Sequence, residues 1–143
     1  MSVIAWDGKT LAADKRCLIG STIRSSTKIF RVGDSLVGLS GDFIRALEVL
    51  EWLKLGDRSE KFPAMRGDRH GNLLVVDARG DVWKYEEGPI PYQLDGPHAA
   101  AGCGDESALV AMHMGASAAE AVAIVSLFNN GCGNGVDTLT LEP

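Results

Sequence analysis

The chain has 143 residues, a length that suits one domain with a sizeable core, and we expect a single domain over residues 1–143. Its apolar share of 45% and charged share of 23% are typical of globular proteins, and it contains no run of about 18 apolar residues that could cross a membrane. The net charge of -5, with Lys and Arg scattered among acidic residues, argues against nucleic acid as a partner.

The first apolar stretch is interrupted by Asp7 and Lys9, so we expect no secretory signal and a cytoplasmic protein. The three cysteines, Cys17, Cys103 and Cys132, are widely spaced and contain no CxxC pair, which predicts reduced thiols rather than a zinc site. We expect neither a metal nor a cofactor.

Short apolar runs around turn dipeptides predict two β-hairpins at the start of the chain. Asp7-Gly8 is well suited to a two-residue hairpin turn, because both residues tolerate positive φ. Gly33-Asp34 occupies the same position between the next two runs. The predicted strands cover residues 2–6, 9–14, 27–32 and 35–39.

The middle of the chain predicts one helix, one loop and a third hairpin. Asp42 can cap a helix whose apolar residues recur at near-helical spacing until Gly56. Residues 58–68 are polar, contain Pro63 and predict a loop. Residues 72–77 and 81–85 predict the hairpin, with short strands following at 93–94 and 99–101.

The last third of the chain predicts two helices and a closing strand. Asp105 can cap the first helix, and Ser117 with Glu120 forms the capping-box pattern that opens the second. That helix should end at residues 129–131, before a strand over residues 136–141. Strands, one helix, strands, two helices and a strand form the order of an α+β domain.

Few residues outside the N-terminus point to chemistry. No HExxH, P-loop or GxSxG motif is present, and the short GxG at residues 102–104 is too weak to imply a nucleotide. Each of the three histidines is interpreted as a solvated or core-edge side chain without an assigned role.

The N-terminus offers a nucleophile and a base on one residue. An α-amine has an ordinary pKa of about 8, so part of it is neutral at physiological pH and can accept a proton. If Met1 is removed, Ser2 carries this amine together with a hydroxyl that can attack a carbonyl. A nearby cation would lower the pKa of the amine, and a carboxylate would hold that cation in place. Lys28 and Asp14, on strands that follow Ser2, are candidates for these roles.

Several segments in order resemble the proteasome β-subunit and HslV peptidase family, the N-terminal-nucleophile hydrolases. They are SVIAWDGKTLAAD, SSTKIFRV, LVGLSGD, AAGCGDESALVAM, GASAAEAVAIV and GVDTLTL, and together they reach from Ser2 to Leu141. The resemblance implies a compact four-layer αββα sandwich and cleavage of peptide or other amide bonds. It also implies a peptide or protein substrate, a homo-oligomer and an ATPase unfoldase as a possible partner.

The resemblance places the family's nucleophile at Ser2, its aspartate at Asp14, its lysine at Lys28 and its backbone oxyanion donor at Gly38. An oxyanion donor of this kind contributes about 3 kcal/mol to transition-state stabilisation.

The chain also departs from the family. Most members begin with threonine instead of serine. Cys103 falls where the family has a supporting serine, and Asn130 and Gly133 fall where it has a supporting aspartate and serine.

Other interpretations of these residues remain open. Without the resemblance, Ser2 is an ordinary second residue, and Asp14 and Lys28 are a structural ion pair. Gly38 and Gly41 are then glycines near a strand end, and Cys103 is expected to be a small buried residue. For the whole protein, the alternatives are an amidase of small molecules and a catalytically inactive proteasome-like subunit that assembles or binds.

Overall fold

The computed structural model describes residues 1–56, 59–64, 67 and 69–141. The predicted polar loop over 58–68 lies partly outside the described residues, and a short 3₁₀ helix at Ser59–Lys61 is found within it. The described strands and helices are β1 (Ile4–Trp6), β2 (Thr10–Asp14), β3 (Arg16–Ile19), β4 (Thr22–Ser25), β5 (Ile29–Val32), β6 (Ser35–Gly41), α1 (Phe43–Lys54), β7 (Gly71–Val76), β8 (Val82–Tyr85), β9 (Tyr92–Leu94), β10 (Ala99–Ala101), α2 (Asp105–His113), α3 (Ala118–Phe128) and β11 (Val136–Thr140). The mixed α+β class predicted from the sequence is confirmed.

The described strands form two larger sheets and one separate hairpin. One sheet has the order β5-β6-β7-β8-β9 and the other has the order β10-β1-β2-β11, while β3 pairs with β4 in a hairpin of its own. All of these pairings are antiparallel. Strand β1 is therefore an inner strand, and the residue before it, Val3, is held near the centre of its sheet.

The first hairpin turn is built by Asp7 and Gly8. The Asp7 Oδ1 atom accepts hydrogen bonds from the backbone N–H groups of Lys9 and Thr10, at 3.0 and 2.8 Å. Gly8 adopts a φ of 96°, a conformation that costs glycine little. The Asp7 Oδ2 atom accepts a further bond from Ala118 N at 2.8 Å, so the turn also fixes the start of α3.

Buried side chains form three clusters, each between two layers of secondary structure. The first, with Leu50 and Leu73, lies between α1 and the five-stranded sheet. The second, with Ile4 and Leu74, lies between the two sheets. The third, with Val3, lies between the four-stranded sheet and helices α2 and α3. Successive residues of β1 enter opposite clusters because side chains alternate across a strand.

Two of the three predicted helix caps are confirmed. Asp42 accepts a bond from Arg45 N at the start of α1, and Ser117 and Glu120 form the reciprocal capping box of α3. The prediction for Asp105 is wrong, because Asp105 is the first residue of α2 and Gly104 is its N-cap. A Cβ at position 104 would lie 2.6 Å from Val125 Cγ1, so an ordinary capping side chain has no room there.

The hairpin of β3 and β4 is absent from the sequence predictions. This hairpin has exposed apolar side chains at Leu18, Ile19 and Ile23. Its strands therefore lack the regular alternation of apolar and polar residues that a half-buried strand shows. Its turn, Gly20-Ser21, is nevertheless a dipeptide typical of two-residue hairpins.

Candidate active site

Ser2 is buried two residues before β1, and only 4% of its surface is exposed. Its Oγ atom has no hydrogen-bond partner among the described residues. Its carbonyl oxygen accepts bonds from Gly104 N at 3.3 Å and from Cys103 Sγ at 3.4 Å. Gly102 packs so closely that any Cβ there would collide with the Ser2 carbonyl group. The backbone of Ser2 is thus fixed while its hydroxyl is left without a partner.

Asp14 is fully buried at the end of β2, and backbone N–H groups surround its carboxylate. Its Oδ1 atom accepts a bond from Val3 N at 3.1 Å, and its Oδ2 atom accepts bonds from Arg16 N at 3.2 Å and Gly133 N at 3.0 Å. Hydrogen bonds to a charged carboxylate offset part of the free energy lost on burial. The side chain therefore joins three separate segments of backbone.

Lys28 completes the arrangement from the residue before β5. Its Nζ atom lies 2.9 Å from Asp14 Oδ1 and donates a bond to the Met1 carbonyl oxygen at 3.1 Å. The side chains of Lys28 and Asp14 are 4% and 0% exposed. Since Lys28 binds the carbonyl before Ser2 and Asp14 binds the N–H after it, the ion pair holds the peptide groups on both sides of Ser2. The structure brings Ser2, Asp14 and Lys28 together.

Two cavities open at Ser2. One has a volume of about 210 Å³ and the other about 420 Å³, and both are lined by Met1, Ser2, Ser40 and Gly41. The smaller extends along the β3 side, whereas the larger reaches Cys103. An extended ligand passing from one cavity to the other would cross Ser2, whose hydroxyl is itself buried in this structure.

The structure does not bring Gly38 to this site. Leu39 N donates to Lys28 O, next to β5, and Asp42 N donates to His70 O, next to β7. The backbone N–H groups of alternate residues along β6 therefore point to β5 and to β7 in turn. Gly38 pairs with Leu74, which directs its N–H toward β7. A Cβ at position 38 would meet Ile4 between the sheets. Gly38 is therefore explained by close packing of the two sheets.

Gly41, which the sequence analysis names only as a glycine near a strand end, lies at this site. It pairs with Gly71 between two hydrogen-bonded positions of the ladder, so its N–H points away from β7. It also lines both cavities at Ser2. Its φ is 78°, and a Cβ at this position would collide with the His70 carbonyl oxygen, so both the backbone conformation and the packing require glycine. The SGD turn before α1 was the available signal.

A cluster of Cys103, Asn129 and Cys132 lies behind the Ser2 carbonyl. The Cys103 Sγ atom is 3.8 Å from Cys132 Sγ and 3.7 Å from Asn129 Nδ2. Burial, with the negative charge of Asp14 next in size, raises the pKa of Cys132 to about 12, so this thiol remains protonated.

One sequence prediction about this cluster is wrong, because Cys103 is exposed rather than buried. The side chains beside it belong to Asn129 and Cys132, whereas the resemblance placed the family's supporting aspartate and serine at Asn130 and Gly133. Gly133 instead contributes the backbone N–H that binds Asp14.

Arg16 is a further residue that sequence reasoning missed. It lines the smaller cavity, and its Nη1 and Nε atoms donate to Asn130 O at 2.8 Å and Asn134 Oδ1 at 3.1 Å. These bonds attach β3 to the loop that carries Cys132 and Gly133. The Gly20-Ser21 turn was the available signal for the β3–β4 hairpin, on which Arg16 is the first residue.

Within the part of the chain that the structure describes, no group of three or more His, Cys, Asp or Glu residues is arranged to hold a metal ion. Among the same residues, no helix is long and apolar enough to span a membrane.

No protein-family model and no curated protein matches the chain. Two solved structures of Thiobacillus denitrificans BPH do. The first is 22% identical, has a TM-score of 0.71, and the match covers 99% of this chain and 98% of that chain. The second, BPH in complex with epoxomicin, is 20% identical with a TM-score of 0.67, and the match covers 100% of both chains. The chain therefore shares, along almost its whole length, the fold of Thiobacillus denitrificans BPH.

Proposed function

We propose that the protein is an N-terminal-nucleophile hydrolase of the proteasome and HslV type, which cleaves peptide bonds with Ser2 after Met1 is removed. The observation that carries the proposal is the buried, unpartnered hydroxyl of Ser2 next to the buried pair of Lys28 and Asp14. Its fold neighbour was solved with epoxomicin, a proteasome inhibitor, which supports a peptide as the substrate class. The proposal includes a four-layer αββα sandwich over residues 1–143, a homo-oligomer and a cytoplasmic location.

Removal of Met1 converts the nitrogen of Ser2 from an amide into an amine. An amide nitrogen does not accept a proton at neutral pH, whereas a neutral amine does. With Met1 in place, the Lys28 ammonium group binds the Met1 carbonyl oxygen, and this carbonyl is attached to the Ser2 nitrogen. Lys28 therefore remains close to the Ser2 nitrogen after Met1 has left. A cation at this position favours the neutral form of the amine, as a general base requires.

The first chemical step forms an ester on Ser2. The amine takes the hydroxyl proton while Oγ attacks the carbonyl carbon of the substrate, and the π electrons of the carbonyl move to its oxygen. Collapse of this intermediate breaks the C–N bond, and the departing amine takes the proton that the Ser2 nitrogen had accepted. The N-terminal part of the substrate is then bound to Oγ as an ester.

The second step releases that ester. A water molecule attacks its carbonyl carbon while the Ser2 amine takes a proton from the water. The C–O bond to Oγ breaks, Oγ recovers a proton from the amine, and a carboxylic acid leaves. The enzyme returns to its starting state, so no cofactor is consumed.

Gly41 N–H is the proposed donor to the oxyanion in both steps. It points away from the neighbouring strand β7 and lies at the junction of the two cavities. A donor fixed before the reaction costs no reorganisation as negative charge develops, which is worth about 3 kcal/mol.

The alternative is a catalytically inactive proteasome-like subunit with an assembly or binding role. The bond between Lys28 Nζ and the Met1 carbonyl oxygen favours it, because a retained Met1 keeps both the amide and this contact in place. The two functions therefore make opposite predictions about modification of Ser2.

Labelling with an electrophilic peptide tests the proposal. A short peptide vinyl sulfone should alkylate the wild-type protein at Ser2, as located by mass spectrometry of the digested chain. Ser2→Ala should carry no label on residue 2, whereas Ser35→Ala, at the far end of β6, should be labelled at Ser2 like the wild type. A wild-type protein without label on Ser2, whatever label Cys103 or Cys17 carries, would overturn the proposal.

A further inference from the structure

Two cysteines from separate loops meet directly behind Ser2. Cys103 lies between β10 and α2, Cys132 follows α3, and their Sγ atoms are 3.8 Å apart. Neither thiol takes part in the reaction proposed above. A pair of nucleophilic side chains this close to the Ser2 carbonyl therefore requires its own explanation.

The two thiols differ sharply in accessibility. Cys103 is exposed and lines the cavity of about 420 Å³ that leads to Ser2. Cys132 is completely buried in the core against α3. A small reagent that enters the cavity meets Cys103, whereas Cys132 has no exposed surface.

The two sulfur atoms must approach from 3.8 Å to the roughly 2 Å of a disulfide bond. Cys132 stands between Gly131 and Gly133, on a loop that lies outside the described helices and strands. The sulfur atoms are already in contact, so no side chain has to leave the space between them. We therefore expect a small adjustment of this loop to bring the sulfur atoms to bonding distance.

We propose that Cys103 is a thiol-disulfide exchange site for low-molecular-weight disulfides of the glutathione type, with Cys132 as its resolving partner. The Cys103 sulfur attacks one sulfur of the glutathione disulfide and expels the first glutathione, which leaves with the Cys103 proton. Cys132, whose raised pKa makes this the slower step, then gives up its proton as its sulfur attacks Cys103 Sγ, and the second glutathione leaves as a thiol that carries this proton. Two protein thiols are oxidised to one disulfide, and one glutathione disulfide is reduced to two thiols.

The bond would alter the surroundings of Ser2 from two directions. Cys103 Sγ now contacts the Ser2 carbonyl oxygen at 3.4 Å, and this contact changes when the sulfur atom turns toward Cys132. Gly133, the next residue after Cys132, donates to Asp14 Oδ2 at 3.0 Å. Movement of either loop displaces a group that positions Ser2, so the disulfide slows its reaction. This second part of the inference rests on the proposed function.

The disulfide itself is tested without any assay of activity. The folded protein is incubated with glutathione disulfide, denatured, alkylated with iodoacetamide and digested. We expect a peptide pair joined through Cys103 and Cys132, with only Cys17 alkylated, and full alkylation of all three after dithiothreitol. Cys17→Ser should form the same disulfide. Complete alkylation after oxidation, a stable glutathione adduct on Cys103, or a bond involving Cys17 would each overturn the exchange site.

The effect on Ser2 is measured separately with the peptide vinyl sulfone. Oxidation should slow labelling of Ser2 by at least about tenfold, and dithiothreitol should restore it. Cys103→Ser should be labelled at the same rate with and without glutathione disulfide. An oxidised protein labelled as fast as the reduced one overturns the control of Ser2 but leaves the disulfide standing. A protein never labelled at Ser2 overturns the proposed function, whatever the disulfide mapping gives.

Discussion

Two lysine-aspartate pairs lie next to each other in this protein, and they differ in burial rather than in distance. Lys28 with Asp14 and Lys15 with Asp137 are each joined at 2.9 Å. The side chains of the first pair are 4% and 0% exposed, and those of the second are 27% and 33% exposed. Distance alone therefore does not distinguish a site from a surface contact.

The surroundings of the two pairs explain the difference. Asp14 accepts three backbone N–H bonds besides the bond from Lys28, whereas Asp137 lies on the edge strand β11. Transfer of two charges into the interior costs more than their attraction returns unless further hydrogen bonds are made. A buried ion pair therefore adds little to the stability of a fold. Where it lies next to an unpartnered hydroxyl, it indicates a functional site.

The largest expected difference between the pairs is in stability. Asp14→Ala should lower the free energy of unfolding by about 3–5 kcal/mol, because it leaves the Lys28 charge buried without a partner. Asp137→Ala should lower it by no more than about 1 kcal/mol. Urea unfolding followed by circular dichroism measures both.

If Asp14→Ala does not fold, Asp14→Asn replaces it, since an amide oxygen still accepts one of the backbone bonds. Equal losses from the two aspartates would show that burial does not separate the pairs.

The next difference concerns reactivity. Lys28→Met should slow labelling of Ser2 by the peptide vinyl sulfone by about 100-fold or more, because the base loses the cation that keeps it neutral. Lys15→Met, the matched control on the neighbouring pair, should be labelled within about twofold of the wild type. Rates are expressed per folded molecule. Similar rates for the two variants would contradict a role for Lys28 in the chemistry.

The smallest difference lies in the response to salt. The coupling free energy of each pair is measured with a double-mutant cycle at low salt and at about 1 M NaCl, where the Debye length falls to about 3 Å. The coupling between Lys15 and Asp137 should fall from a few tenths of a kcal/mol toward zero, because that pair is accessible to ions. The coupling between Lys28 and Asp14 should change little. Equal screening of both would mean that water and ions reach Asp14.

The sequence predicts those parts of the fold that local chemistry determines. Asp7-Gly8 specifies the first hairpin, and the Ser117 capping box specifies the start of α3, because each signal lies within a few residues of its effect. The β3–β4 hairpin was missed because its exposed strands carry no alternating pattern. The Asp105 cap was wrong because a distant contact with Val125 restricts position 104 to glycine.

The candidate site, too, was predicted only in part from the sequence. The resemblance named Ser2, Asp14 and Lys28, which the structure brings together. The choice between Gly38 and Gly41 depends on which N–H faces which neighbour in the sheet, and sequence spacing does not reveal that. The proximity of Cys103 and Cys132 arises because two loops, separated by two helices, both pack against the start of β1.

The central claim is that Ser2 acts as a nucleophile only when its own amine is free. Partial removal of Met1 gives a sample that tests this within one experiment, since processed and unprocessed chains differ in mass. After treatment with the peptide vinyl sulfone and digestion, mass spectrometry should find label on Ser2 only in N-terminal peptides that begin at Ser2. Label on Ser2 in peptides that retain Met1, or processed N-terminal peptides that remain unlabelled, would contradict the account.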